Sequence, residues 1–218
     1  MFPEWLNKGF VNLFKPFINL FAKARVKANW LTTAGFIFGL GAGALFAADH
    51  FFWGGIVALL SAICDAIDGS LARLSGNVTK FGMFYDSVLD RYSELAMFIG
   101  LSYFYSTKAM WLQALLTDLA LVGSLMVSYT RARAEGLGED CKVGIMERPE
   151  RIAVIITGTV FTGLFTSLTH NEKWHGIFTA ALWVLAIFTN VTAIQRILHV
   201  RNRTKGKPLP SQSNKQII

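Results

Sequence analysis

Residues 65–90 read Asp65-Ala66-Ile67-Asp68-Gly69-Ser70-Leu71-Ala72-Arg73, then eight residues, then Gly82-Met83-Phe84-Tyr85-Asp86-Ser87-Val88-Leu89-Asp90. Both halves belong to otherwise apolar stretches long enough to cross a bilayer. A carboxylate at membrane depth is costly, so it normally faces a cavity and marks function. Asp65 and Asp68 are three apart and share one helix face, and Asp86 and Asp90, four apart, share another. Two facing helices with these spacings can aim four carboxylates into one cavity.

The rest of the chain has the composition of a membrane protein. Of 218 residues, 53% are hydrophobic, and apolar runs of about 20 residues recur. The pattern predicts six spans, at 30–48, 51–72, 82–105, 111–134, 152–170 and 174–198. Backbone polar groups in lipid must be satisfied within the segment, so these spans are helices. They are too long for barrel strands and lack their alternation. The predicted fold is therefore an all-α integral membrane protein of six transmembrane helices.

The net charge of +7 lies mostly on one side. Lys8, Lys15, Lys23, Arg25 and Lys27 precede the first span, and Arg73 and Lys80 lie between the second and third. Arg131, Arg133, Lys142, Arg148 and Arg151 surround the junction of the fourth and fifth. Arg196, Arg201, Arg203, Lys205, Lys207 and Lys215 close the chain, whereas only Lys108 and Lys173 fall in the opposite loops. The positive-inside rule puts both termini and the aspartates on the cytoplasmic side of the cytoplasmic membrane. A nucleic-acid partner is not indicated, because the charge follows a membrane face rather than a soluble patch.

Residues 1–28 carry Phe2, Trp5, Phe10, Phe14, Phe17 and Phe21 interleaved with Lys8, Lys15 and Lys23, with Pro16 as a kink. This reads as an amphipathic helix lying in the interface or packed on the protein's own helices. Residues 29–200 form the helical domain, and 201–218, polar and holding Pro208 and Pro210, read as a disordered tail. Trp53, Trp111 and Trp174 near span ends suit an aromatic belt. Cys64 and Cys141 offer neither a disulfide framework nor metal spacing, and no cleavable signal peptide is evident.

Hard cations such as Mg²⁺ and Mn²⁺ take oxygen ligands, and Mg²⁺ commonly bridges carboxylates to substrate phosphates. Four carboxylates are enough for two metals, which together stabilise the attacking and leaving oxygens of an in-line displacement. Gly69 and Gly82 allow a diphosphate close to the backbone, and Arg73 can pair with phosphate. None of His50, His170, His175 and His199 lies in the cluster, so a general base there has to be a carboxylate. Glu94, one turn past Asp90, reads either as a support behind the aspartates or, on the plainer and favoured reading, as an intrahelical partner of Arg91.

With every fixed position present, Asp65 through Asp90 resembles the signature of the CDP-alcohol phosphatidyltransferases. That family transfers a phosphatidyl or related group from a CDP-linked lipid to an alcohol and releases CMP. The resemblance implies six membrane helices, a homodimer and two divalent metals at the four aspartates. It implies Asp65, Asp68 and Asp86 as metal ligands, and Asp90 as the general base for the acceptor hydroxyl and a further metal contact. Gly69, Ala72, Arg73 and Gly82 would line the CDP-lipid site. Thr32, in the segment Asn29-Trp30-Leu31-Thr32 that opens the first span, would contact the nucleotide.

A second constellation bears on the acceptor. Arg131, Arg148, Arg151 and Arg196 lie on the same predicted face, and Met146-Glu147-Arg148-Pro149-Glu150-Arg151 clusters charge more densely than a positive-inside fringe requires. Guanidinium groups meeting at one pocket would suit a phosphate-bearing acceptor. The set is similar to that of phosphatidylinositol-phosphate synthases within the family, which implies CDP-diacylglycerol as donor and inositol 1-phosphate as acceptor. Those proteins carry Lys where this chain has Arg131. Glycerol 3-phosphate, free inositol and serine are the alternative acceptors. A metal-dependent membrane transporter is the alternative class, and it requires polar residues continuing to the outer side.

Overall fold

A computed structural model describes residues 15–24, 26–171 and 173–205. Six long helices run through it: α1 (Ala28–Ala47), α2 (Phe51–Leu74), α3 (Lys80–Thr107), α4 (Trp111–Gly136), α5 (Arg148–Thr169) and α6 (Lys173–Thr204). There is no strand among the described residues. Each helix has 20 residues or more, and 20 residues rise about 30 Å, the hydrocarbon thickness of a bilayer.

Five of the six are long and apolar enough to cross a membrane. The exception is α3, which carries Asp86, Asp90, Arg91 and Glu94. Its length of 28 residues still matches its neighbours, and it runs among them. Residues 15–23 are helical, and the rest of the proposed interfacial segment, 1–14, lies outside the described residues. Helix α6 continues to Thr204, past residue 200 where the sequence reading ends the helical domain; residues 206–218 lie outside the described residues.

The principal packing contacts close a ring in the order α1, α3, α4, α6, α5, α2 and back to α1. The short turns 48–50, 108–110 and 170–172 lie at one end, and the connections 75–79 and 137–147 at the other. The chain reverses through one repeated device. Asp49 and Ala109 are left-handed (φ 67° and 54°), with His50 N–H bonding Leu45 O and Met110 N–H bonding Tyr105 O at 2.9 Å each. This six-to-one bond satisfies carbonyls that the helix end would leave bare. At the opposite end Gly76 and Gly138 (φ 66° and 80°) hold the same position, where the absence of Cβ removes the strain.

Small residues let α1 approach its neighbours. Cβ atoms at Gly39 and Gly43 would run into Ser93 and the Ala96 backbone of α3, and one at Gly100 would strike the Gly43 carbonyl. Ser61 of α2 donates to the Gly35 carbonyl at 2.7 Å. Lipid offers no hydrophobic drive between helices, so such close backbone contact and interhelical hydrogen bonds supply the association. Toward the short-turn end, Phe46, Phe51, Phe104, Tyr105 and Phe178 fill the interior, Phe51 and Phe104 edge to face at 4.9 Å. Large apolar side chains such as Ile37, Trp53, Leu115, Val122, Phe161 and Leu168 point outward, as they do where the solvent is lipid.

One buried ion pair joins α3 to α5. Arg151 is 0% exposed and Glu94 2%. Arg151 Nε and Nη2 chelate the two Glu94 oxygens at 2.6 and 2.9 Å, and Nη1 reaches the Met146 carbonyl at 3.3 Å. The expectation that Glu94 pairs with Arg91 is corrected here. Arg91 instead bonds the Ser87 carbonyl at 2.8 Å and lies 3.9 Å from Asp90. Spacing along one helix cannot reveal that a guanidinium from another helix arrives with better geometry.

Gly100→Leu should force α1 from α3 and cost about 1–3 kcal/mol, read as a lower melting temperature in detergent. Gly136→Ala, where a Cβ meets nothing within 4 Å, should leave melting unchanged. Glu94→Ala strands a buried guanidinium and should cost about 3–5 kcal/mol; the double substitution Glu94→Met with Arg151→Met should recover much of that loss.

Candidate active site

The sequence puts two aspartates on one face of α2 and two on one face of α3, and the fold turns those faces together. Oxygen atoms of Asp65, Asp68 and Asp86 all lie within 4.8 Å of one another. Asp68 is 3% exposed, and Asp65 and Asp86 are half-buried. Asp68 Oδ2 and Asp86 Oδ1 are buried with no hydrogen-bond partner. Buried, uncompensated carboxylate oxygens are expensive unless a cation completes them. Three converging hard oxygen donors fit a divalent cation such as Mg²⁺ or Mn²⁺.

Asp90 stands beside this trio and is engaged by an arginine from a third helix. Arg148, the first residue of α5, places Nη1 2.6 Å from Asp90 Oδ2 and 2.9 Å from Asp65 Oδ2. Below the carboxylates a small cavity of about 10 Å³ is lined by Thr32, Gly35, Ser61, Asp65, Asp68 and Asp90. That volume accommodates one water-sized body. Farther in, Ala42, Ala58, Met97, Phe98 and Leu101, each 0 or 1% exposed, close the interior.

Of the residues expected around a nucleotide, Thr32 and Gly82 lie where α1 and α3 begin, and Gly69, Ala72 and Arg73 lie near the end of α2. Thr32 is 7% exposed and donates to the Ala28 carbonyl at 3.2 Å. Thr79 caps α3 by accepting from Gly82 N–H at 2.9 Å. A Cβ at Gly82 would lie 3.0 Å from Thr79 Oγ1 and 3.4 Å from Asn29 Oδ1, so a side chain there would crowd this corner. Arg73 is exposed, bonds Ser70 Oγ at 3.3 Å and arches over Gly69, where a Cβ would meet Nη1 at 3.5 Å. Ala72 is half-buried beside it. Sequence reading passed over Thr33 and Tyr85, whose hydroxyls pair at 3.0 Å between α1 and α3. Only the helix packing brings those two together.

The four arginines separate into two kinds. Arg131 on α4 sits at the surface, 39% exposed and bonded to Glu135 at 2.9 Å; Arg148 keeps 22%. Arg151 and Arg196, 0 and 2% exposed, are buried and bonded within the protein. Arg196 donates to the carbonyls of Val143 and Val127 at 2.8 and 2.7 Å, and Nη2 lies 3.4 Å from Glu147. Together with the Met146 N–H to Thr192 Oγ1 bond at 3.0 Å, it fastens the 137–147 connection to α6. Cys141, 0% exposed, sits inside that connection.

This arrangement agrees with what the chain is similar to. It shares 38% identity with an archaetidylinositol phosphate synthase of Methanothermobacter thermautotrophicus, over 92% of this chain and 98% of that one. It shares 34% with a phosphatidylinositol phosphate synthase of Mycobacteroides abscessus, over 86% and 85%. Among solved structures, Mycobacterium tuberculosis phosphatidylinositol phosphate synthase with CDP-DAG bound superposes with a TM-score of 0.76 at 27% identity, over 95% of this chain and all of that one. The same enzyme in complex with manganese and citrate also gives 0.76, at 28% identity over 85% and 87%. The family model for CDP-alcohol phosphatidyltransferases matches residues 25–194, and with the aspartate signature assembled on α2 and α3 the chain belongs to that family.

Proposed function

We propose that this protein transfers the phosphatidyl group of a CDP-linked lipid, CDP-diacylglycerol or its ether-lipid counterpart, to inositol 1-phosphate and releases CMP. The observation that carries this reading is the convergence of Asp65, Asp68 and Asp86 with unpartnered oxygens beside Asp90. It is supported by the relatives named as phosphatidylinositol phosphate and archaetidylinositol phosphate synthases, and by the structural neighbour that binds CDP-DAG. The protein works in the cytoplasmic membrane as a homodimer, with its termini and aspartates on the cytoplasmic side.

Asp65, Asp68 and Asp86, with Asp90 as a further contact, would hold two divalent cations, Mg²⁺ or Mn²⁺, which would supply charge neutralisation for the diphosphate and the leaving CMP. Thr32, Gly69, Ala72, Arg73 and Gly82 receive the CDP portion, the two glycines by leaving room near the backbone and Arg73 by pairing with phosphate. The lipid tails remain among the outward apolar faces. Arg131 and Arg148, whose side chains keep 39% and 22% exposure, bind the acceptor's phosphate, and Arg151 and Arg196 hold the frame around them. Asp90 takes the proton from an inositol hydroxyl. That oxygen forms a bond to the lipid-side phosphorus as the bond from that phosphorus to the CMP oxygen breaks.

Purified protein with CDP-diacylglycerol and Mg²⁺ should release CMP with inositol 1-phosphate and not with inositol, serine or glycerol 3-phosphate. Release with another acceptor would keep the aspartate site and discard the arginine assignment. Asp90→Asn should lower turnover by about 10²-fold or more, as loss of a general base does, while CDP-diacylglycerol binding stays within a few fold; turnover near wild type would remove Asp90 from that role.

A further inference from the structure

Arg148 occupies a position that the cation reading makes contested. Its Nη1 bridges Asp65 and Asp90, so the same Asp65 that belongs to the cation-binding trio is the partner of a fixed positive charge. A guanidinium and a divalent cation repel each other across a shared carboxylate, so each weakens the other's hold on Asp65. The arginine also leaves the cluster undercompensated, since Asp68 Oδ2 and Asp86 Oδ1 remain without partners.

The geometry of Arg148 differs from that of a permanently seated arginine. Arg151, three residues on, uses Nε and Nη2 in parallel on one carboxylate. Arg148 serves two carboxylates with one nitrogen, and its Nε is buried with no hydrogen-bond partner. A planar fork with five donors is poorly used in this way. Its side chain keeps 22% exposure, whereas Arg151 keeps 1%. The buried Glu94–Arg151 pair anchors the first turn of α5, so the Arg148 side chain can swing without the helix moving.

We propose that Arg148 is an internal counter-ion of the aspartate cluster that a divalent cation must displace, and that the displaced guanidinium receives the phosphate of the acceptor, so that metal loading enables acceptor binding. This rests on the reading of the cluster as a metal site. Metal and acceptor are then positively coupled through one side chain, and by linkage each raises the affinity of the other.

The test measures binding to the purified full chain in detergent. By calorimetry, Arg148→Gln should bind Mn²⁺ about tenfold more tightly than wild type, within the usual range of coupling between sites. In wild type, phenylglyoxal labelling of Arg148, followed by peptide mass spectrometry, should be slow without metal and faster with Mn²⁺. Inositol 1-phosphate should protect Arg148 only when Mn²⁺ is present. The labelling arm needs no variant and decides the matter if Arg148→Gln does not fold. Wild type that binds Mn²⁺ with unchanged or slower labelling, or with equal protection in its absence, overturns the counter-ion role and leaves the metal reading intact. Failure of wild type to bind Mn²⁺ at all overturns both.

Discussion

Like-charge repulsion among four aspartates is the constraint around which this molecule is arranged. Asp65 and Asp68 on α2 and Asp86 and Asp90 on α3 are brought together from the two helices that flank α1, largely removed from the water that would disperse their charge. Such a cluster persists only if positive charge meets it and the surrounding helices are held too firmly to separate. Both conditions are visible. Arg148 arrives from α5 to bridge Asp65 and Asp90. The glycine face of α1 brings backbone against α3, and a serine of α2 bonds a carbonyl of α1.

The end of the bundle that carries the aspartates is polar but not loose. Buried charges are assembled as closed units: Glu94 with Arg151, and Arg196 with two carbonyls and Glu147. Removing one partner of such a unit is far more damaging than replacing both, because the residual charge has no solvent to turn to. These units fix where α5 begins and where the 137–147 connection lies, and through them the position of Arg148. The opposite end is built differently, from interlocked aromatic rings and three-residue turns. A site needing defined charge geometry sits at one end, and apolar packing seals the other.

A reaction between a lipid and a water-soluble alcohol needs a place open to both phases. Short of a substrate, the chain shows the elements of such a place: carboxylates below the polar rim, exposed arginines at it, and outward apolar faces along the helices. The charged first half of α3 has the same origin. It is less apolar than the other helices because its carboxylates belong to the site, while its length and packing are those of its neighbours.

The sequence by itself determined the helical class, the approximate spans and the reaction family. Apolar runs of bilayer length leave the backbone no alternative to helix, and carboxylates spaced three and four apart on such runs have few other uses. It also placed Asp65 beside Asp68 and Asp86 beside Asp90, since helical periodicity fixes which residues of one helix share a face. What only the tertiary structure decided is which face meets which. Arg131, Arg148, Arg151 and Arg196 look alike along the chain, yet packing buries two, leaves one at the surface and inserts one among the aspartates. Glu94 looked like a partner for Arg91 until α5 brought Arg151 to it. Periodicity is a local property of the backbone, whereas the partner of a long charged side chain depends on which helices adjoin and how deeply each group is removed from water.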